Sequence, residues 1–143
     1  MTVSTILADK GRDVVTIDPG TNLADAAQLL TEMRIGAAII LGADRRVVGI
    51  ISERDIVRAL AERGAAVLAE PVSQTMTRGV ETCNEREPIS SIMQRMTDGK
   101  FRHVPVVDQG RLVGIVSIGD VVKHRVQQIE RETAEMREYI LSA

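Results

Sequence analysis

The sequence predicts an α/β (α+β) fold in which two β-α-β-β-α repeats pack as a pseudo-two-fold pair, followed by an extended C-terminal helix. Residues 49–57 match residues 114–122 in register at Gly, Ile, Ser, Asp and Val. Within each half, apolar residues alternate between helical and strand-like spacing. The chain has 143 residues, so each half is marginal on its own and we expect the two to pack together through their sheets.

The repeat divides the chain into residues 1–66, residues 67–125 and a helical extension over 126–143. In the first half the pattern predicts strands at 14–17, 37–41 and 46–51, and helices at 22–34 and 53–63. In the second half it predicts strands at 80–83, 103–107 and 111–116, with helices starting at Pro88 and Ile118. Asn22 is suited to cap its helix, and Gly36 and Gly99 suit helix ends.

Composition argues against several classes of function. Aromatic residues make up 1% of the chain and the net charge is −2, which disfavours nucleic-acid binding. Cys83 is the single cysteine, and we predict no metal site. The sequence lacks a P-loop, a Gly-x-Gly-x-x-Gly motif and a Gly-x-Ser-x-Gly motif, so we expect no enzymatic activity. Without a membrane-spanning run or a signal-peptide pattern, the expected compartment is the cytoplasm, with no membrane partner.

Each half contains a Ser-x-x-Asp motif where a strand is predicted to end and a helix to begin. Ser52 and Asp55 form the first, and Ser117 and Asp120 the second. The spacing is that of a capping box, in which the serine binds a first-turn amide. An aspartate at a helix N-terminus can also accept hydrogen bonds from the hydroxyls of a ribose. Both interpretations stay open, since one serine can cap while its aspartate faces a ligand.

Two copies of Gly-h-h-Ser-x-x-Asp (h, apolar), each behind a hairpin, resemble a tandem cystathionine-beta-synthase (CBS) domain pair, also called a Bateman module. The run from Arg102 to Asp108 is similar to a strand that is frequent in that family, and the resemblance covers about residues 3–125. It implies a regulatory module with two clefts between the repeats. In the family such clefts often hold adenosine compounds such as AMP, ADP or ATP, bound as regulatory ligands without a required cofactor.

The resemblance also assigns site residues by motif position. The second-repeat site, which we prefer, would comprise Thr82, Arg102, His103, Val104, Pro105, Ile115, Ser117 and Asp120. The first-repeat site would comprise Thr16, Ala38, Ile39, Ser52 and Asp55, and it lacks a charged counterpart of Arg102 and His103. Adenine would lie between aliphatic side chains such as those of Val104 and Ile115, because aromatic residues are scarce. A half-covered structural role is the alternative for His103, and a solvated helix face is the alternative for Arg54 and Arg58.

The final helix carries apolar residues at alternating spacings of four and three, from Val122 to Ile140. This pattern outlines a coiled-coil seam and favours a homodimer, while the alternative is a helix folded back on its own chain. An unidentified protein partner fits the regulatory hypothesis as well. The alternative functions are an interaction scaffold with empty clefts and a binder of NAD(H) or another adenosyl ligand.

Overall fold

The computed structural model describes residues 1–142, which form five α-helices and five β-strands. In chain order these are α1 (Val3–Lys10), β1 (Thr16–Ile17), α2 (Leu23–Met33), β2 (Ala37–Leu41), β3 (Val47–Ser52), α3 (Glu53–Arg63), α4 (Ile89–Gly99), β4 (His103–Asp108), β5 (Arg111–Ser117) and α5 (Ile118–Ser142). Short 3-10 turns cover Ala43–Arg45, Ala65–Ala69 and Val72–Gln74. The predicted hairpins and the two helices that follow them are confirmed to within a residue or two.

The two halves differ in their first strand. In the first half, β1 pairs in parallel with β2, and β2 pairs antiparallel with β3. In the second half, β4 and β5 form an antiparallel pair, and the predicted strand at 80–83 is wrong because it shrinks to one parallel bridge between Cys83 and Val106. In the first half the Ile39 N–H donates to the carbonyl of Val15, but Pro105 stands at the corresponding position of β4 and has no N–H, so the ladder does not extend beyond Cys83.

The ends of α2 and α4 also differ from the prediction. Asn22 does cap α2, since its side chain accepts a hydrogen bond from the Asp25 N–H at 2.8 Å. The left-handed residue that follows each helix is Arg34 (φ 54°) or Lys100 (φ 56°). Gly99 is the last residue of α4, as expected, whereas Gly36 lies two residues beyond Arg34, so its assignment to a helix end is wrong. Apolar contacts and closing backbone bonds decide where a helix stops, and they override the modest cost of a left-handed conformation in a residue other than glycine.

Each hydrophobic core includes residues that the predicted division of the chain assigns to the other half. Helix α1, for which the sequence pattern predicts no element, contributes Val3, Ile6 and Leu7 to the core of the second half. The core of the first half includes Val67 and Val72 from the connection between the halves. Both cores therefore contain residues from either side of the predicted domain boundary at residue 66. The division into 1–66, 67–125 and 126–143 stays a prediction.

The two sheets turn one face to their own helices and the other toward the opposite half. In β2, Ala38 and Ile40 belong to the first core, while Ile39 lies on the other face and is fully buried. Arg45, in the turn between β2 and β3, donates hydrogen bonds to the carbonyl of Leu112 on β5 at 3.3 and 3.4 Å. These contacts agree with the predicted pseudo-two-fold pair, joined between its sheets.

Candidate functional site

Both Ser-x-x-Asp motifs are helix caps in the structure. The Ser52 N–H donates to Asp55 Oδ2 at 3.0 Å, and Ser52 Oγ accepts from the Asp55 N–H at 3.2 Å. The corresponding distances for Ser117 and Asp120 are 2.9 and 3.2 Å. The cap uses one carboxylate oxygen of each aspartate, so the second oxygen is left for another partner. Among residues 1–142, the one hydrogen bond to Oδ1 of Asp55 is a long contact of 3.4 Å from Thr77 Oγ1.

A cleft of about 400 Å³ lies beside the first of these caps, with walls from both halves of the chain. Ala37, Ile50, Ser52 and Asp55 line it on the side of the first repeat. The second repeat contributes the segment 100–103, which connects α4 to β4. Because the two strand ends that carry Ala37 and Ser52 are paired, the hairpin brings the cap residues to the mouth of the cleft.

The cleft has an excess of positive charge. Arg54 and Arg58 come from α3, and Lys100 and Arg102 come from the connection before β4. Glu53 and Asp55 are the acidic residues of the lining, so four cationic side chains stand against two carboxylates. The second repeat thus places Lys100 and Arg102 in the cleft of Asp55, whereas strand β2 of the first repeat carries no charged side chain. Arg54 and Arg58, though exposed, face this cleft and not only bulk solvent.

The second aspartate has a different environment. Lys10 Nζ, from the last turn of α1, donates to Asp120 Oδ2 at 2.7 Å and to the carbonyl of Ile115 at 3.1 Å. Burial raises the pKa of Asp120, but the hydrogen bonds from Lys10 and Ser117 outweigh it and lower the pKa below its ordinary value. The carboxylate is thus ionised and already paired with a cation.

His103 lies between the two caps. It lines the cleft of Asp55 and also pairs with Ser117 across the β4–β5 hairpin. Burial lowers the pKa of its imidazole, and the charges of Lys10 and Arg102 add to that effect, against the influence of Asp120. The ring is therefore neutral at pH 7 and can offer a hydrogen bond but not a charge.

The strand faces decide which other predicted residues can reach a ligand. Val104 and Ala38 are buried in the second and first cores respectively, so only their backbone could contact a ligand. The expectation that the Val104 side chain would cover an adenine is wrong, because Val104 and Ile115 lie on opposite faces of the sheet. The remaining predicted residues are outside the lining of the Asp55 cleft: Thr16, Ile39, Thr82, Pro105, Ile115, Ser117 and Asp120.

Comparison with known proteins agrees with this repeat architecture. The family model of the CBS domain matches the chain twice, over residues 6–62 and 72–127. The chain belongs to the CBS domain family. The two matches contain the two Ser-x-x-Asp caps, one in each CBS repeat.

Solved CBS structures share the fold over most of the chain. The CBS-domain containing protein ATU1752 from Agrobacterium tumefaciens is 48% identical, with a TM-score of 0.83 over 87% of this chain and 99% of that one. The CBS domain protein PAE2072 from Pyrobaculum aerophilum, complexed with AMP, is 30% identical, with a TM-score of 0.79 over 93% of this chain and 99% of that one. The CBS domain pair of MJ0100, in complex with 5-methylthioadenosine and S-adenosyl-L-methionine, is 29% identical, with a TM-score of 0.79 over 90% and 98%.

The curated relatives of this chain are longer than the chain itself. The chain spans 66% and 71% of the first two in length, and only 22% of another. Within residues 1–142, no helix combines the length and apolar character needed to cross a bilayer. The same residues hold no cluster of three or more His, Cys, Asp or Glu side chains arranged for a metal ion.

Several residues of the CBS cleft were missed from the sequence. Lys100 and Phe101 directly precede Arg102 and His103, so extending the candidate segment by two residues would have included them. Thr77 of the cleft, and Lys10 beside Asp120, lie in segments that carry no motif, and no signal in the sequence points to them. Their positions depend on how the segments that begin each half pack against the rest of the chain.

Proposed function

We propose that this CBS pair is a regulatory module that binds one adenine nucleotide in the cleft beside Asp55. The observation that carries the proposal is the meeting of a capped carboxylate and four cationic side chains in one cleft of about 400 Å³. The AMP complex of PAE2072 and the adenosyl complexes of MJ0100 support the ligand class. The proposal moves the preferred site from Asp120 to Asp55, and the residues of both repeats contribute to it.

The side chains divide into three groups by the chemistry that each can supply. Oδ1 of Asp55 is positioned to accept hydrogen bonds from ribose hydroxyls while Oδ2 keeps the helix cap. Ala37 and Ile50 offer aliphatic surface to a base in place of aromatic stacking. Arg102, with the other three cations, supplies charge for the phosphate. Each charge-assisted hydrogen bond contributes about 1.5–3 kcal/mol.

The charge of the cleft favours nucleotides over other adenosyl compounds. S-adenosylmethionine carries a sulfonium cation, which the excess of arginine and lysine repels, and methylthioadenosine carries no phosphate to pair with them. AMP, ADP and ATP carry increasing negative charge, so we expect all three to bind more tightly than S-adenosylmethionine or methylthioadenosine. NAD(H) has the required phosphates, but its second nucleoside needs space beyond the adenosine site.

A ligand in this cleft would contact both CBS repeats and could bias their relative arrangement. A nucleotide changes the output only if it binds two arrangements with different affinity. Asp55 and Arg58 are in the first repeat while Lys100 and Arg102 are in the second, so bridging contacts would favour a closed cleft. Together with the absence from the sequence of the nucleophile and phosphate-binding motifs named above, this favours a regulatory role over catalysis.

We propose further that the distal part of α5 pairs with a second copy of the chain. Val122, Val126, Ile129, Met136 and Ile140 share one helix face and are each at least 43% exposed. All side chains from 131 to 142 are exposed, so the helix does not fold back on its own chain. Charges of both signs flank the apolar seam, at Arg125, Glu130, Glu132 and Arg137, which makes the face complementary to itself.

The dimer can be tested without disturbing the CBS core. Changing Ile129 to Glu should shift the mass measured by sedimentation from that of a dimer to that of a monomer, because a buried seam does not tolerate the charge. Arg131→Glu on the exposed helix is the control for a charge change outside the seam. A dimer mass that persists in Ile129→Glu would overturn this part of the proposal.

Calorimetry with AMP, ADP, ATP, S-adenosylmethionine, methylthioadenosine and NADH tests the ligand. Asp55→Asn should weaken AMP binding by about 10- to 100-fold, since the equivalent of one charge-assisted bond is lost. Asp25→Asn is the matched control, because Asp25 is also the third residue of a helix but lies outside the cleft. Arg102→Ala should weaken AMP more than methylthioadenosine. Folded protein that binds none of the six compounds would favour the alternative of an interaction scaffold.

A further inference from the structure

The second CBS repeat carries the same capped aspartate as the first, yet Lys10 occupies it. Lys10 Nζ lies 2.7 Å from Asp120 Oδ2 and 3.1 Å from the carbonyl oxygen of Ile115. Both atoms belong to the strand end and cap that the second-repeat site would use. The side chains of Lys10 and Asp120 are 31% and 23% exposed, so the ion pair is partly shielded from water.

Helix α1 holds Lys10 in this position. Val3, Ile6 and Leu7 are buried in the second core, which fixes the helix against the sheet. The contact with β5 is close, because a Cβ added at Gly114 would lie 2.8 Å from Leu7 Cδ2. Lys10 is one turn further along the same helix and therefore starts from an anchored backbone. Only the rotamer freedom of the Lys10 side chain is then lost when its ammonium group meets Asp120.

The first repeat has no equivalent of this lysine. Val3-Ser4 and Val72-Ser73 begin the corresponding segments, and the same offset places Gly79 opposite Lys10. Gly79 has no side chain to extend toward Asp55. The extra contact of that carboxylate in the structure is the 3.4 Å approach of the neutral Thr77 hydroxyl. The two sites are thus alike in their caps and unlike in the group that faces each aspartate.

We propose that Lys10 closes the second-repeat site, so that each chain binds a single nucleotide, in the cleft of Asp55. The ammonium group lies on the capping oxygen Oδ2 of Asp120, and not on Oδ1. It closes the site by neutralising the carboxylate and by filling the space between the cap and the carbonyl of Ile115, so it must leave before a ligand can enter. Lys10 is thus a determinant of stoichiometry. This inference rests on the proposed function, because it concerns the same class of ligand.

Calorimetric titration with AMP tests the stoichiometry. The wild-type chain should bind one AMP and the Lys10→Ala variant two, while the double variant Lys10→Ala/Asp120→Asn should return to one. Lys123→Ala is the matched control, since Lys123 pairs with Asp9 at 3.4 Å on the same side of the molecule but does not contact Asp120. Lys10→Arg should keep one site, because it retains the charge. Circular dichroism and a urea unfolding curve establish that each variant is folded.

The outcomes separate this inference from the proposed function. If Lys10→Ala still binds one AMP and Asp55→Asn abolishes that binding, the closure by Lys10 is wrong and the proposed function stands. Two AMP molecules bound by the wild type also overturn the closure. A third outcome is that the wild type binds no AMP, while Lys10→Ala binds one AMP and loses it when Asp120 is also replaced. This result would refute the site at Asp55 and support the closure of the second site by Lys10. Weaker binding in Lys10→Ala at the single site would make Lys10 a ligand contact and contradict the inference.

Discussion

Gly114 lies on β5 at the point where helix α1 crosses the strand, and replacing it with alanine gives a direct test of that packing. The new Cβ would lie 2.8 Å from Leu7 Cδ2 and 3.0 Å from Leu7 Cδ1. Leu7 is 1% exposed, so its side chain can retreat only against packed neighbours, and either that side chain or helix α1 must move by roughly half an ångström. Overpacking of this kind costs about 1–3 kcal/mol in the free energy of unfolding.

Urea unfolding followed by circular dichroism measures this cost. With a slope of about 2 kcal/mol per molar urea, the midpoint of Gly114→Ala should fall by roughly 0.5–1.5 M. Gly119→Ala is the control, because its Cβ would meet Ser117 Oγ at an ordinary 3.7 Å and alanine favours the helix. That variant should match or exceed the wild type in stability. An unchanged midpoint in Gly114→Ala would refute the close packing of α1 on β5, and with it the anchoring of Lys10.

Three further predictions concern titration and reactivity. Burial raises the pKa of Asp120, but Lys10 and Ser117 lower it more, so the folded state binds fewer protons than the unfolded chain in acid. The stability that the Lys10–Asp120 pair provides is present above about pH 4 and is lost as the pH falls through the pKa of Asp120 in the folded state. In this pH range the free energy of unfolding of Lys10→Ala, measured by urea unfolding, should therefore fall less steeply than that of the wild type. Burial lowers the pKa of His103, so stability should decline as the pH falls below about 6.5, and His103→Gln should flatten this decline; an equally steep curve would contradict the burial of the imidazole. Burial raises the pKa of the Cys83 thiol to about 12, so iodoacetamide at pH 8, followed by mass spectrometry, should label the folded protein far more slowly than the urea-unfolded chain. Equal rates would contradict its place in the core.

The local elements could be predicted because their signals are short in sequence. Asn22 caps α2 and Ser52 caps α3, each through contacts within three residues. The two hairpins follow from apolar runs around short turns, and their strands agree with the prediction to within a residue or two. Even so, a balance of local contacts placed the left-handed residues that follow α2 and α4 at Arg34 and Lys100, and neither of these residues is a glycine.

The composition of the candidate site could be predicted only in part. The sequence pointed to both capped aspartates and to Arg102 and His103, since these residues lie in the repeated motif or beside it. It grouped Arg102 and His103 with Asp120, whereas in the structure both line the cleft of Asp55. A repeat in sequence aligns each motif with its own copy, but a pseudo-two-fold pair also brings the end of one hairpin near the cap of the other.

The sequence by itself determined the repeated unit, the caps, the hairpins and the long final helix, because these depend on residues close together in the chain. Only the tertiary structure decided that α1 completes the core of the second half and that Lys10 meets Asp120. Those contacts join residues about a hundred positions apart, so no periodicity records them. The surroundings of Asp55 and Asp120 thus differ because a different segment of the chain folds against each of them. Helix α1 lies beside Asp120 because the burial of Val3, Ile6 and Leu7 holds it there.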